Sequence, residues 1–357
     1  MHPQPRSRAE TALMSGHWVK LICGASNQDL PGIADLCALY ACAGVHCVDV
    51  AADAAVVRAA RSGLAWARDH GAPPVWLMVS ISDGSDAHFR KAQFDPKLCP
   101  SDCPRPCARV CPADAIPAAP QCLEAGCGGV EASRCYGCGR CLPACPLGLI
   151  QASEHRQSLE DLVPLLRALH PDAVEVHTAP GRGKTFSDAV QALVNAQVPL
   201  QRLAVSCGLE GHGLTAPDLA RELWQRFGVL RRHGLRPLWQ LDGRPMSGDV
   251  GRGTARAAIQ LWQHIRPLAP PGPLQLAGGT NASTLDLLLE TSSAQAFRPA
   301  GVAFGGQARA LVQPWLQAAL ERGQHLVDWP EGWAQALSKA KTLVNPWLQT
   351  RYGRSPC

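Results

Sequence analysis

The sequence lacks long apolar runs. Among its 357 residues, no stretch approaches the about 18 uninterrupted apolar residues that a membrane helix needs, so we expect no membrane span. The first ten residues, MHPQPRSRAE, lack the apolar core of a signal peptide. We therefore expect residues 1–16 to be a disordered lead-in and the protein to be cytoplasmic.

Clustered positive charge is also absent. The formal net charge is +5, but the arginines are spread along the chain, and aromatic residues do not alternate with basic ones. This distribution is typical of a solvated surface rather than of a nucleic-acid interface. We expect no nucleic-acid partner.

Cysteine, in contrast, is abundant. The chain has 16 cysteines and no export signal, and the cytosol keeps thiols reduced, which excludes a disulfide framework. The cysteines therefore indicate a metal or cluster site.

Short β-branched runs alternate with longer amphipathic segments outside the region richest in cysteine. Strands are predicted at 19–23, 46–50, 75–81, 173–177, 203–207, 237–241, 274–277 and 301–304. Helices are predicted at 29–43, 54–68, 158–169, 185–196, 216–232, 254–266, 283–290 and 307–320. Eight such units predict an α/β fold, a (β/α)₈ TIM-barrel-like body, with an open doubly wound sheet as the alternative.

The connection between the third strand and its helix is too long for a simple loop. Residues 82–157 far exceed the roughly two to six residues usual for a βα loop, so we predict a folded insertion between body segments 17–81 and 158–325. Loops after barrel strands open on the C-terminal face, which places the insertion over the barrel mouth. Residues 326–357 are predicted to form a helical tail.

The second half of this insertion contains an intact C-x₂-C-x₂-C-x₃-C-P run, formed by Cys135, Cys138, Cys141 and Cys145. Gly137 and Gly139 give the backbone freedom that a tight loop around a cubane demands. The first half contains Cys99, Cys103, Cys107 and Cys111. It ends in C-x₃-C-P, but its first two gaps are three residues long, which leaves its ligand set open.

The two runs resemble the cysteine repeats of bacterial two-cluster ferredoxins. In that family the fourth cysteine of each run ligates the other cluster. The resemblance implies two [4Fe–4S] clusters, one held by Cys111, Cys135, Cys138 and Cys141 and the other by Cys99, Cys103, Cys107 and Cys145.

Two alternatives remain for the cysteines. A zinc ribbon also uses paired cysteines, although its knuckles usually lie a dozen or more residues apart. Cys122 and Cys127, between the runs, are spare ligands, a redox-active pair or small packing residues.

Paired glycines follow the last two predicted strands. Gly278 and Gly279 follow the seventh, and Gly305 and Gly306 follow the eighth, where barrels commonly bind phosphate through backbone N–H groups. These pairs indicate a phosphate or flavin-phosphate site, or else they only form tight turns.

Several polar residues fall at or just after strand ends, where barrel enzymes carry catalytic groups. They are Asn27, Ser82, His177, Cys207 and Asp242. No acid–base or nucleophile motif joins them, so the catalytic residues of any reaction stay unknown.

The chain resembles the light-dependent period family of cyanobacteria over nearly its whole length. The cysteine runs carry most of this resemblance, together with the segments KLICGASN at 20–27 and CVDVA at 47–51. It implies a cytoplasmic iron–sulfur redox sensor that tunes light input to the circadian clock and associates with clock input and oscillator proteins. The alternatives are an oxidoreductase that passes electrons from the clusters to a flavin or substrate at the barrel mouth, and a scaffold whose clusters are structural.

Overall fold

The computed structural model describes residues 7–86, 89–111, 113–117, 129–135, 137–154, 158–209, 213–244, 251–291 and 297–350. Its strands are β1 (Trp18–Gly24), β2 (Cys47–Ala51), β3 (Trp76–Ser82), β4 (Arg90–Gln93), β5 (Gln151–Glu154), β6 (Ala173–His177), β7 (Arg202–Cys207), β8 (Pro237–Asp242), β9 (Leu274–Ala277) and β10 (Gly301–Phe304). Its helices are α1 (Arg8–Ser15), α2 (Leu30–Ala43), α3 (Ala54–Asp69), α4 (Pro106–Arg109), α5 (Cys141–Ala144), α6 (Leu159–Leu169), α7 (Gly183–Ala196), α8 (Ala216–Arg232), α9 (Ala255–Ile265), α10 (Thr284–Leu289), α11 (Gly306–Glu321) and α12 (Pro330–Gln349).

Eight parallel strands close into a barrel in the order β1-β10-β9-β8-β7-β6-β3-β2. This closure confirms the TIM-barrel-like fold and excludes the open sheet. The remaining two strands, β4 and β5, form a separate antiparallel pair in which Arg90 lies opposite Glu154.

The predicted barrel strands and helices are confirmed, with ends that differ by at most a residue or two. Helix α2 illustrates why helix boundaries could be predicted from the sequence. The Asp29 side chain accepts a hydrogen bond from the Gly32 N–H at the start of the helix, and Gly44 adopts the left-handed conformation that ends it.

The expectation of a disordered lead-in is wrong for residues 8–15, which form α1. The Ser7 side chain caps this helix by accepting a hydrogen bond from the Glu10 N–H. Buried Ala9 and Leu13 pack with Trp18 at the end of the barrel where the strands begin. Residues 1–6 lie outside the described part of the chain.

Helix α12 packs against α2 and α11 on the outside of the barrel. Its Trp347 is only 1% exposed and belongs to the main core. Residues 351–357 lie outside the described ranges. The division of the chain into body, insertion and tail stays a prediction.

Within the described ranges, none of the helices combines the length and apolar character required to cross a bilayer.

Candidate functional site

The cysteine runs lie between β3 and α6, in a segment with its own small apolar core. We call residues 89–154 the cysteine segment. Phe94, Ile116, Val130 and Ile150 are buried in its core. The cysteines that pack in or against this core are Cys99, Cys107, Cys111, Cys135, Cys141 and Cys145.

Four cysteines from both runs line one cavity in this segment. They are Cys111, Cys135, Cys138 and Cys141, and we call them the inner quartet. Burial, together with the neighbouring Cys138, Cys135 and Cys111, raises the pKa of the Cys141 thiol to about 12. Thiolates this close repel one another unless a cation lies between them.

The other four cysteines also interact with one another, and we call them the outer quartet: Cys99, Cys103, Cys107 and Cys145. Burial raises the pKa of Cys107, and the charges of Cys145, Cys99 and Cys103 act in the same direction. Cys145 therefore lies near the first run although it belongs to the second.

Backbone N–H groups point at several of the sulfurs. The Ala92 N–H donates to Cys135 Sγ at 3.4 Å, and the Ala115 N–H donates to Cys111 Sγ at 3.2 Å. Partial burial opposes ionisation of Cys145, but the N–H groups of residues 147–150 lower the pKa of its thiol. Such contacts stabilise the thiolate form that binds metal and tune the potential of a bound cluster.

The predicted role of the loop glycines is confirmed. Gly137 and Gly139 both have φ near +74°, a left-handed conformation that other residues adopt only at a cost. This conformation lets the short C-x₂-C-x₂-C loop turn three thiols toward one cavity.

Each quartet offers four thiols, the number of protein ligands that a cubane takes. In the part of the chain that the structure describes, no group of three or more His, Cys, Asp or Glu side chains is arranged to hold one metal ion. A cubane needs wider spacing, because each thiolate binds a different iron atom. The two quartets have the membership that the predicted ligand assignment requires.

The other cysteines that the structure describes do not add to these quartets. Cys23, Cys37, Cys47 and Cys207 are buried in the barrel, and no disulfide is recorded for any described cysteine. Cys122 and Cys127 lie outside the described residues.

A second cavity, of about 120 Å³, opens at the C-terminal mouth of the barrel. Two of the polar residues singled out at strand ends, His177 and Asp242, line it. The four predicted glycines line it as well: Gly278, Gly279, Gly305 and Gly306.

Three other strand-end residues do not line this cavity and bond locally instead. Asn27 Nδ2 donates to the Cys23 carbonyl at 3.1 Å, and the Ser82 hydroxyl donates to the Gly84 carbonyl at 2.6 Å. The buried Cys207 thiol donates to the Gln240 carbonyl at 3.9 Å.

The cysteine segment contributes to the barrel mouth. Cys138 of the inner quartet and the nearby Arg140 line the same cavity as His177 and Asp242. The loop that would hold one cluster is therefore in contact with the space in which barrel proteins bind ligands.

Beneath the cavity, buried charges connect three strands. Lys20 Nζ on β1 lies 3.1 Å from Asp49 Oδ2 on β2 and also forms an ion pair with Glu175 on β6. His177 Nε2 lies 3.1 Å from Glu175 Oε1. Gln240 Nε2 donates to the same Glu175 oxygen at 2.7 Å.

These contacts fix the charges in the network. Burial disfavours every ionised group here, but the Lys20 charge and the His177 hydrogen bond hold the pKa of Glu175 below its usual range. Burial likewise opposes protonation of His177, yet Glu175 raises the pKa of its ring to about 9. An imidazolium and a carboxylate therefore lie side by side at neutral pH.

Sequence reasoning missed this network, because Lys20, Asp49 and Glu175 form no motif. The available signal was an isolated charged residue inside an otherwise apolar strand, repeated in several strands of one barrel. Such a residue must point into the barrel and find a partner there.

The comparisons with known proteins agree with this geometry. Residues 99–156 match the LdpA Fe-S cluster-binding domain, and residues 165–346 match the light dependent period A C-terminal domain. The chain is 46% identical over 333 residues to light dependent period A of Synechococcus elongatus, covering 92% of this chain and 90% of that protein. This chain belongs to the light-dependent period A family. It therefore carries the iron–sulfur cluster-binding domain of that family.

Solved structures resemble this member of the light-dependent period A family only distantly. One is a putative fructose-1,6-bisphosphate aldolase from Coccidioides immitis, with a TM-score of 0.46, 11% identity and 96% of each chain covered. Another is the tryptophan synthase alpha subunit of Legionella pneumophila, with a TM-score of 0.40, 10% identity and coverage of 96% of this chain and 99% of that one.

Proposed function

We propose that this chain holds two [4Fe–4S] clusters and acts as a redox sensor in the light-dependent control of circadian period. The inner quartet would hold one cluster and the outer quartet the other. When bound, such clusters supply one-electron transfer at a potential set by their surroundings. The observation that carries the proposal is the separation of eight cysteines into two groups of four, each drawn from both runs.

The outer quartet is the better candidate for the responsive cluster. Leu98, which precedes Cys99, is 62% exposed, and Leu147, close to Cys145, is 55% exposed. A cluster near exposed chain is more accessible to oxidants than one in an enclosed cavity. The irregular spacing of the first run points in the same direction.

Hydrogen bonds between the cysteine segment and the barrel would transmit a change in the cluster to the barrel. The Arg134 guanidinium, one residue before Cys135, donates to Gln317 Oε1 on α11 at 2.9 Å. Gln313, on the same helix, donates to Asp114 at 3.1 Å. The Gln28 N–H donates to the Ser133 carbonyl at 2.9 Å. These bonds tie the cysteine segment to the barrel, so its rearrangement would alter the surface presented to clock input and oscillator proteins.

The test is partner binding as a function of cluster state. The full chain, purified without oxygen, is examined by electron paramagnetic resonance after reduction and after oxidation, and its affinity for clock input and oscillator proteins is measured in both states. We expect the affinity to differ between the states, and this difference to vanish in Cys99→Ser. Cys42→Ser, which changes a cysteine of α2 outside both quartets, should behave as the native chain does. Equal affinities in two states with different spectra would contradict the sensor.

One observation favours a second function, an oxidoreductase that passes electrons to a flavin or substrate. Cys138 lines the barrel-mouth cavity together with His177 and Asp242, so electrons would have a short path to a bound molecule. The visible spectrum of the anaerobic protein distinguishes the two, because bound flavin adds absorption bands that clusters lack. A spectrum with flavin bands would favour the oxidoreductase.

A further inference from the structure

We propose that the barrel mouth binds a phosphate monoester of a small metabolite. Its phosphate would bind the glycines and arginines that line the cavity, and its hydroxyl groups would bind His177 and Asp242 in the same cavity. Arg140 of the cluster loop lines this site, but binding of the ligand does not require the electron transfer proposed above.

The glycine end exposes backbone rather than side chains. Gly278 and Gly279 have φ of +63° and +87°, and a Cβ at Gly278 would lie 2.4 Å from the Arg244 carbonyl oxygen. The β8 and β9 loops therefore pack backbone against backbone at the cavity wall. Such turns leave N–H groups uncovered for an anion.

Helix α11 begins at the same wall. Gly305 and Gly306 line the cavity, and no side chain caps the first turn of this 16-residue helix. The first N–H groups of a helix have no partner within it, and the helix dipole adds positive potential there. An anion in the cavity would interact with these N–H groups and with the positive end of the helix dipole.

Three arginines line the same cavity. Their positive charge favours a bound anion more than the N-terminus of a helix alone would. Arg140, Arg244 and Arg309 all line the cavity. Arg309 is 3% exposed and lies 3.6 Å from the Asp29 carboxylate. Within the described ranges, no hydrogen bond or ion pair is recorded for the Arg244 side chain. Guanidinium groups bind phosphate through paired, charge-assisted hydrogen bonds.

His177 and Asp242, which line the same cavity, offer a donor and an acceptor. His177 Nε2 lies 3.1 Å from Glu175 Oε1, and the His177 side chain lines the cavity. The Asp242 carboxylate accepts hydrogen bonds from Ser206 and, at 3.3 Å, from Gln240. A ligand hydroxyl could accept a hydrogen bond from His177 and donate one to the Asp242 carboxylate, as binding sites with a few convergent polar groups require.

The volume of the cavity indicates which class of ligand fits it. At about 120 Å³ it is smaller than the roughly 300–1,000 Å³ typical of sites for drug-sized molecules. A phosphorylated compound of about three carbons fits this volume better than a flavin mononucleotide, which shares the phosphate but adds a three-ring system.

Calorimetric titration of the anaerobic full chain tests the proposal. The probes are glycerol 3-phosphate, inorganic phosphate, glycerol and flavin mononucleotide. We expect glycerol 3-phosphate to bind most tightly, inorganic phosphate more weakly and glycerol not at all. Arg244→Gln should weaken both phosphate probes about tenfold or more, since it removes a charge-assisted contact. His177→Gln should weaken glycerol 3-phosphate while leaving inorganic phosphate nearly unchanged.

The matched control is Arg231→Gln. Arg231 is exposed at the C-terminal end of α8, which lies at the opposite end of the barrel from the mouth. The Arg231→Gln variant should bind every probe as the native chain does. Circular dichroism checks that each variant is folded. Absence of glycerol 3-phosphate binding, or binding that a folded Arg244→Gln variant retains, would overturn the site. Tighter binding of flavin mononucleotide would overturn the assignment to a small metabolite.

Discussion

Cys111 ends the first cysteine run and Cys138 lies within the second, yet both side chains line one cavity. Cys135 and Cys141 line it as well, so the runs interleave around it. A sequential arrangement would instead group Cys111 with the three cysteines before it.

Paired substitutions distinguish the two arrangements. In the interleaved arrangement, Cys111→Ser combined with Cys138→Ser removes ligands from one cluster, so about half of the iron should remain. Cys107→Ser combined with Cys111→Ser removes a ligand from each cluster, so nearly all iron should be lost. Iron and acid-labile sulfide analysis of the anaerobic proteins measures both. The sequential arrangement gives the reverse result for the two pairs.

Removing the lysine from the buried network should destabilise the barrel strongly. Lys20→Met leaves Asp49 buried without its cation and Glu175 paired with His177 alone, and removing one partner of a buried ion pair typically costs about 3–5 kcal/mol. Equilibrium urea unfolding followed by circular dichroism measures the loss. Lys184→Met is the control, because Lys184 pairs with Asp188 on the exposed face of α7 and should matter little. An equal loss of stability in the two variants would show that the buried pairing is unimportant.

Stability should fall with rising pH because of His177. Burial opposes its charge, but Glu175 raises its pKa to about 9, whereas an unfolded imidazole titrates near about 6.5. The folded state therefore binds the proton more tightly. The contribution, on the order of 1–3 kcal/mol, is complete below about pH 6.5 and lost as the pH rises to about 9.

Unfolding measured across this pH window tests the sign. His177→Gln should flatten the slope, while His264→Gln, at an exposed position on α9, should keep it. A slope of opposite sign in the native chain would mean that the ring is neutral in the folded protein.

The cluster loop should be sensitive to a single methyl group. Gly139 has φ of +74°, and a Cβ there would meet nothing within 4 Å, so Gly139→Ala adds only backbone strain of roughly 1–2 kcal/mol. We expect faster loss of the cluster absorbance in air. Gly228→Ala, within α8, should leave that rate unchanged, since a Cβ there contacts only Arg232 at 3.9 Å. Identical rates in both variants would contradict the role of the left-handed turn.

Much of the barrel could be predicted because its strands are buried β-branched runs and its helices carry recognisable caps. Helix α1 was not predicted, although Ser7 and Glu10 cap its start and Gly16 ends it. The helix has only eight residues, so its apolar residues repeat over too few turns to show helical spacing. The β4–β5 pair was missed because each strand has only four residues. Such strands are too short to show a period.

Some features of the two sites could likewise be predicted from the sequence, and others could not. The cysteine runs were predictable because local spacing encodes their loops, and the glycines of the barrel mouth follow strand ends. The presence of Arg140 and His177 in one cavity depends on the position of the cysteine segment over the barrel. The pairing of Lys20 with Glu175 depends on closure of the barrel. Neither relationship leaves a pattern in the sequence.

The most direct test of the account is a count of iron and acid-labile sulfide in the chain purified without oxygen, with electron paramagnetic resonance of the reduced protein. Two cubanes predict about eight iron atoms and about eight sulfides per chain, with a spectrum of two interacting clusters. A chain that contains zinc without sulfide, or iron for one cluster only, would contradict it.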